Sequence, residues 1–222
     1  SGNAVEHGLL TLACYTAGIP ISPISVAYSL QSQDHAKLKY INDLLTPGLV
    51  YVSDTAPFAK ALAHITAPIV AGKNGAGLPN VTLFSDLEKT APGPAVAQAV
   101  DAIRPDTIAK FLFTSGSTGM PKGVINTQRM LCSNQIMCRS ALQYLQDEPP
   151  VILDWAPWHH TAGGNHDVGL ALYNGGTFYI DEGKPLPGAI EATVRNLKDV
   201  APTWYFNVPK GFEALLPFFR SD

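Results

Sequence analysis

The stretch Thr114-Ser115-Gly116-Ser117-Thr118-Gly119-Met120-Pro121-Lys122-Gly123 gathers the residue types that grip a polyphosphate. Its glycines let the backbone turn tightly and aim successive N–H groups at one point. The hydroxyls of Thr114, Ser115, Ser117 and Thr118 add donors, Lys122 adds a fixed positive charge, and Pro121 stiffens the exit. This is not a Walker A loop. That pattern places four residues between its glycines and sets Lys-Ser/Thr at the start of a helix. Here Lys122 follows Gly-Met-Pro, and Gly123-Val124-Ile125 reads as extended chain. The plain alternative is a Ser/Gly/Thr-rich surface connector. Lys and Pro at fixed places, straight after the apolar strand expected over Ile108–Thr114, argue against it.

A second chemical stretch is Asp154-Trp155-Ala156-Pro157-Trp158-His159-His160-Thr161-Ala162-Gly163-Gly164-Asn165-His166. It comes after an expected strand, and α/β proteins place ligands beyond the C-terminal ends of strands. A metal site from His159, His160, His166 and Asp167 is one reading. Adjacent histidines rarely point at one centre, and no ligand spacing for a metal is present, so no metal ligands are assigned. Trp155 and Trp158 read equally as an aromatic pocket wall and as core packing.

The elements that must position these residues alternate. Val5, Leu9, Leu10, Leu12 and Ala13 recur at helical spacing after Asn3 and Glu6, a capping-box variant, and Gly18 ends that helix. Strands are expected over Ile19–Ser25, Leu49–Ser53, Pro68–Ala71, Val81–Phe84, Val151–Trp155, Thr177–Asp181 and Thr203–Val208. Helices are expected over Ser32–Leu45, Pro57–Ile65, Thr127 to about Leu145, around Ile190–Leu197 and over Gly211–Phe219, with short ones between 85 and 107. The fold class is therefore α/β, with mainly parallel sheets flanked by helices. Residues 1–107 form a first α/β part, and 108–222 carry the phosphate loop and the histidine segment.

Apolar residues make up 46% of the 222 and charged ones only 15%. A net charge of −3 offers no basic field for nucleic acid or anionic lipid, so phosphate chemistry must rest on one local site. No apolar run is long enough for a membrane span. The cysteines Cys14, Cys132 and Cys138 are odd in number and irregularly spaced, which points to reduced thiols in a cytoplasmic protein.

The loop Thr114–Gly123 resembles the signature loop of the adenylate-forming (AMP-binding) superfamily, which includes acyl-CoA synthetases, peptide-synthetase adenylation domains and luciferases. The resemblance implies a fragment of the large N-terminal domain and ATP contacts from Thr114, Ser115, Gly116, Ser117, Thr118, Gly119 and Lys122. Pro157-Trp158-His159-His160 resembles the family's Pro-x-x-His segment, which implies that His160 lines the acyl pocket near the reacting carboxylate. Phe113–Cys132, Trp158–His166, Leu172–Thr177, Tyr179–Asp181 and Ile21–Gln33 resemble feruloyl-CoA synthetases within the acyl-CoA synthetase branch.

The resemblance also implies a reaction: ATP-dependent activation of a small carboxylic acid to an acyl-adenylate, then transfer to coenzyme A. Lys122 and His160 are the expected catalytic residues, with Mg2+ held mainly by ATP phosphates. The family's later Tyr-Gly-x-Thr-Glu and Thr-Gly-Asp segments and its catalytic lysine do not occur, so the 222 residues alone are expected to be inactive. A non-catalytic nucleotide-binding or scaffold domain is the rival reading, and a P-loop kinase or ATPase is a second.

Overall fold

In the computed structural model, residues 1–114 and 119–219 are described. The chain forms two compact units, Ser1–Gln128 and Arg129–Asp222. The first contains α1 (Val5–Ala17), α2 (Ala27–Leu30), α3 (Ala36–Leu45), β1 (Val50–Asp54), α4 (Thr55–Leu62), β2 (Ile69–Lys73), β3 (Val81–Leu83), α5 (Phe84–Leu87), α6 (Pro94–Ala102), β4 (Ile108–Thr114) and β5 (Lys122–Thr127). The second is built from α7 (Gln128–Ala141), β6 (Val151–Asp154), α8 (Val168–Tyr173), β7 (Thr177–Ile180), α9 (Ile190–Val200) and α10 (Pro209–Phe219), with a 3-10 turn at Gln143–Gln146 and a π-helical segment at Ala162–Asp167. Helices alternate with strands as the hydrophobic periodicity requires, and the α/β class holds.

In the first unit, β1, β2 and β3 pair in parallel in that order, with Val52 opposite Ala71 and Ala71 opposite Leu83. Val52, Phe58, Ile69 and Ala71 form its buried core, so α4 closes over the strands it connects. Asp54 caps α4 by accepting the Ala56 N–H. The hairpin β4–β5 is antiparallel, and Phe111 faces Ile125. Its return strand confirms that Gly123–Ile125 is extended rather than the start of a helix.

In the second unit, β6 and β7 pair in parallel from Val151↔Thr177 to Asp154↔Ile180. Leu145, Ile152, Leu170 and Ala171 form the core beside them.

Several expected boundaries move for physical reasons. Ile19–Ser25 is not a full strand. Only Ile21 bridges Lys110, through Ile21 N–H to Ala109 O at 3.0 Å and Phe111 N–H to Ile21 O at 2.9 Å. Pro20 and Pro23 have no N–H to extend that ladder. In Thr203–Val208 only Trp204 bridges, to Ile152. The Val208 N–H turns instead onto Asn207 Oδ1 at 2.8 Å, which satisfies the backbone locally. Helix α1 begins behind Ala4, with no side-chain cap, in place of the Asn3 and Glu6 capping box, but Gly18 ends it at φ 65° as expected. Helix α7 stops at Ala141, where Leu142 leaves helical backbone and the 3-10 turn begins.

Ile152 is fully buried between β7 and α8. Ile152→Ala should destabilise the second unit by about 2–5 kcal/mol through lost contacts and the cavity left behind. A urea titration reads this as a lowered midpoint.

Candidate functional site

The β4–β5 hairpin presents the phosphate-loop residues at its turn. Thr114 and Lys122 are the terminal pair of the ladder. The Thr114 hydroxyl donates to the Lys122 carbonyl at 3.5 Å, so the backbone at both ends of the loop is tied together. Pro121 is fully buried and anchors the exit, while Gly119 and Lys122 are exposed. Thr114, Gly119 and Lys122 thus lie together at one end of the hairpin, as their spacing in the sequence implies. Ser115, Gly116, Ser117 and Thr118 lie outside the described residues. Of the described groups, the exposed Lys122 ammonium at the start of β5 suits polyphosphate oxygens.

The histidine segment leaves the C-terminal end of β6. Asp154 Oδ1 accepts the Ala156 N–H at 2.7 Å and turns the chain away from the sheet. Trp158 is buried and meets Phe178 edge-on with ring centroids 5.9 Å apart. Of its two readings, core packing is therefore the one realised. Burial, and then the neighbouring His160, hold the His159 imidazole below its ordinary pKa.

His160 is exposed. Its Nδ1 accepts the Ala162 N–H at 3.3 Å, which leaves the proton of the neutral ring on Nε2. Its backbone is held from both sides, by its own N–H to Pro157 O and by the Gly164 N–H to its carbonyl, each at 2.9 Å.

What holds that loop is the π-helical segment Ala162–Asp167. Such segments are rare and frequently functional. Here it is possible because Gly163 and Gly164 lack side chains. A Cβ on Gly163 would lie 2.5 Å from Ala156 O, and one on Gly164 would collide with Trp158 O. The Gln135 amide of α7 donates to Asn165 O at 3.1 Å and secures the outer side.

His166 Nδ1 lies 2.8 Å from Asp167 Oδ1, which raises the His166 pKa. Among the described residues, no group of three His, Cys, Asp or Glu side chains is placed to hold a metal. Sequence reasoning placed Asp154 and Asp181 within longer stretches but gave neither a role of its own. Both are buried, and each accepts a backbone N–H at the end of a strand, Asp181 from Gly183 at 2.9 Å. The available signal was an acidic residue directly after each of two apolar strands.

The family model "AMP-binding enzyme" matches residues 1–221. The chain is similar to the long-chain-fatty-acid–CoA ligase heimdall of Drosophila melanogaster, with 31% identity over 215 residues, covering 97% of this chain and 28% of that protein. It is also similar to the long-chain-fatty-acid–CoA ligase ACSBG2 of Gallus gallus, with 26% identity over 134 residues, or 60% of this chain and 17% of that protein. Among solved structures, the o-succinylbenzoate CoA synthetase of Bacillus subtilis, in complex with an acyl-adenylate intermediate, shares the fold at a TM-score of 0.71. That likeness has 19% identity and spans 97% of this chain and 50% of that one. The matched segments thus cover less than a third of the curated relatives' length.

Gly164→Ala should disrupt the π-helical segment, because the clash is with backbone that has no room to yield. We expect a lowered thermal midpoint. An unchanged midpoint would remove the close approach from its structural role.

Proposed function

The chain belongs to the family of AMP-binding enzymes, and from that premise we propose that the protein activates a hydrophobic carboxylic acid with ATP and passes the acyl group to coenzyme A. The observation that carries this reading is the β4–β5 hairpin, with Thr114 and Lys122 paired at the mouth of the glycine-rich turn. The names of the curated relatives, which are ligases of fatty acids with CoA, support the same reaction class.

In the first step a carboxylate oxygen attacks the α-phosphorus of ATP, forming the acyl-adenylate and releasing pyrophosphate. Negative charge gathers on the departing phosphates. Hydroxyl and backbone donors of the loop, with the Lys122 ammonium, stabilise it where it develops. Ser115, Gly116, Ser117, Thr118 and Gly119 act here as backbone or hydroxyl contacts. Mg2+ accompanies ATP and is held mainly by its phosphate oxygens. In the second step the coenzyme A thiolate attacks the acyl carbonyl carbon and AMP leaves. His160 serves the acyl side, with its Nε2–H available to a carboxylate oxygen.

For the acyl group, the motif likeness to feruloyl-CoA synthetases favours an aromatic acid of the ferulate type, and the relatives' names favour long-chain fatty acids. The free thiols Cys14, Cys132 and Cys138 accord with a cytoplasmic setting.

The test is a carboxylate panel on the full-length protein, scoring AMP release with and without coenzyme A. Ferulate-dependent AMP release supports the aromatic reading, and release confined to long-chain acids replaces it. ADP in place of AMP would indicate a kinase or ATPase, and no nucleotide turnover would leave a scaffold. Lys122→Ala should slow adenylation roughly a hundredfold or more, on the scale of a lost charge-stabilising donor. An unchanged single-turnover rate would take Lys122 out of this role.

A further inference from the structure

Two carboxyl groups in the second unit are buried and imperfectly paired. Asp154, at the end of β6, is 1% exposed, and Asp167, at the end of the π-helical segment, is 0% exposed. Oδ1 of Asp154 is occupied by the Ala156 N–H. Oδ1 of Asp167 accepts His166 Nδ1–H at 2.8 Å and Trp204 Nε1–H at 3.3 Å. The Oδ2 atom of each is buried and, among the described residues, receives no N–H or O–H from any other residue. The π-helical segment that carries Asp167 packs against β6, and the Asp167 carboxyl is the charged neighbour that acts most strongly on Asp154. Two ionised carboxylates cannot face one another in a dry interior. Like charges repel, and each bare oxygen has lost its water.

We propose that Asp154 and Asp167 hold one proton between them, a carboxylic acid donating to a carboxylate, and that this proton is the clasp joining the end of β6 to the π-helical segment. One proton satisfies both orphaned oxygens at once. Two N–H donors already converge on Asp167. Asp154, whose backbone contact neutralises no charge, is the acid.

A metal ion in place of the proton would need further ligands. Among the described residues, no group of three His, Cys, Asp or Glu is placed to provide them. The remaining ionisable neighbours of the pair are His166, Asp181 and Tyr205. Asp181 is already hydrogen-bonded to Thr193, Gly183 and Asn196.

The clasp has a consequence for the site. The π-helical segment holds the His160 carbonyl through the Gly164 N–H, so its attachment to β6 sets where His160 sits. Asp154 and Asp167 are in this sense positioning residues, which act through the loop rather than on substrate.

Burial, and then the charge of Asp167, raise the Asp154 pKa from an ordinary 3.8 to about 7. Above the ordinary value the folded state keeps a proton that the unfolded chain has released. The associated stability is full below about pH 4 and declines as pH rises toward about 7. His166, also raised, acts in the same direction at higher pH, so the lower half of that window isolates Asp154.

Infrared difference spectroscopy of the full-length protein reads the proton directly. We expect a buried carboxylic acid C=O band at about pH 6 that fades by about pH 8 and is missing in Asp154→Asn. Asparagine can donate an amide N–H in place of the acid proton, so this variant should stay folded and lose the stability decline between about pH 4 and 6. No acid band in the wild-type protein at about pH 6 would overturn the proposal, whether or not the variant folds. So would a band that persists unchanged in both Asp154→Asn and Asp167→Asn.

Discussion

Three times in this chain an aspartate at or just past the end of a parallel strand takes the backbone N–H two residues further on. Asp54 receives Ala56 at 2.9 Å, Asp154 receives Ala156 at 2.7 Å and Asp181 receives Gly183 at 2.9 Å. Parallel strands cannot be joined by a tight hairpin, so the chain must leave each strand end and return by a crossover. The aspartate makes that departure definite by replacing the strand's next ladder partner with a local one. Everything beyond β6, including the buried Trp158, the π-helical segment and His160, hangs from the turn that Asp154 makes.

The same turn has different electrostatic outcomes. At Asp54 the amide of Asn74 and then the Ala56 N–H stabilise the anion, and the pKa falls. At Asp154 burial and a second carboxylate outweigh the backbone bond, and the pKa rises. One N–H donor is a small stabilisation beside the loss of water around a charge. The local motif sets the direction of the chain, and the tertiary surroundings set its protonation.

Much of the phosphate hairpin was legible because its information is local. Val124 and Ile125 name the extended return, and Pro121 and Lys122 mark where it begins. Less of the histidine segment could be read. Gly163 and Gly164 are visible in the sequence, but the need for them arises from the carbonyls of Ala156 and Trp158, which only the folded turn brings close. The two readings of Trp158 could not be separated without Phe178, a residue on the neighbouring strand. Asp154, Asp167 and Asp181 are ordinary surface residues by type, and only their burial gives them meaning. The stretches around Ile21 and Trp204 have strand-like composition, but each pairs at a single bridge because neighbouring N–H groups are absent or turned inward.

At His160 the turn, the glycines and the electrostatics act together. An exposed imidazole rotates and exchanges tautomers, which makes it a poor donor in a fixed direction. Here the Ala162 N–H occupies Nδ1, so the ring plane is restrained and the proton of the neutral ring sits on Nε2. That N–H exists as a donor in that place because the chain has entered the tight turn leading to the π-helical segment. A side chain with ordinary composition and high exposure thereby acquires a defined donor atom, and the glycines that allow the turn help to set where that donor points.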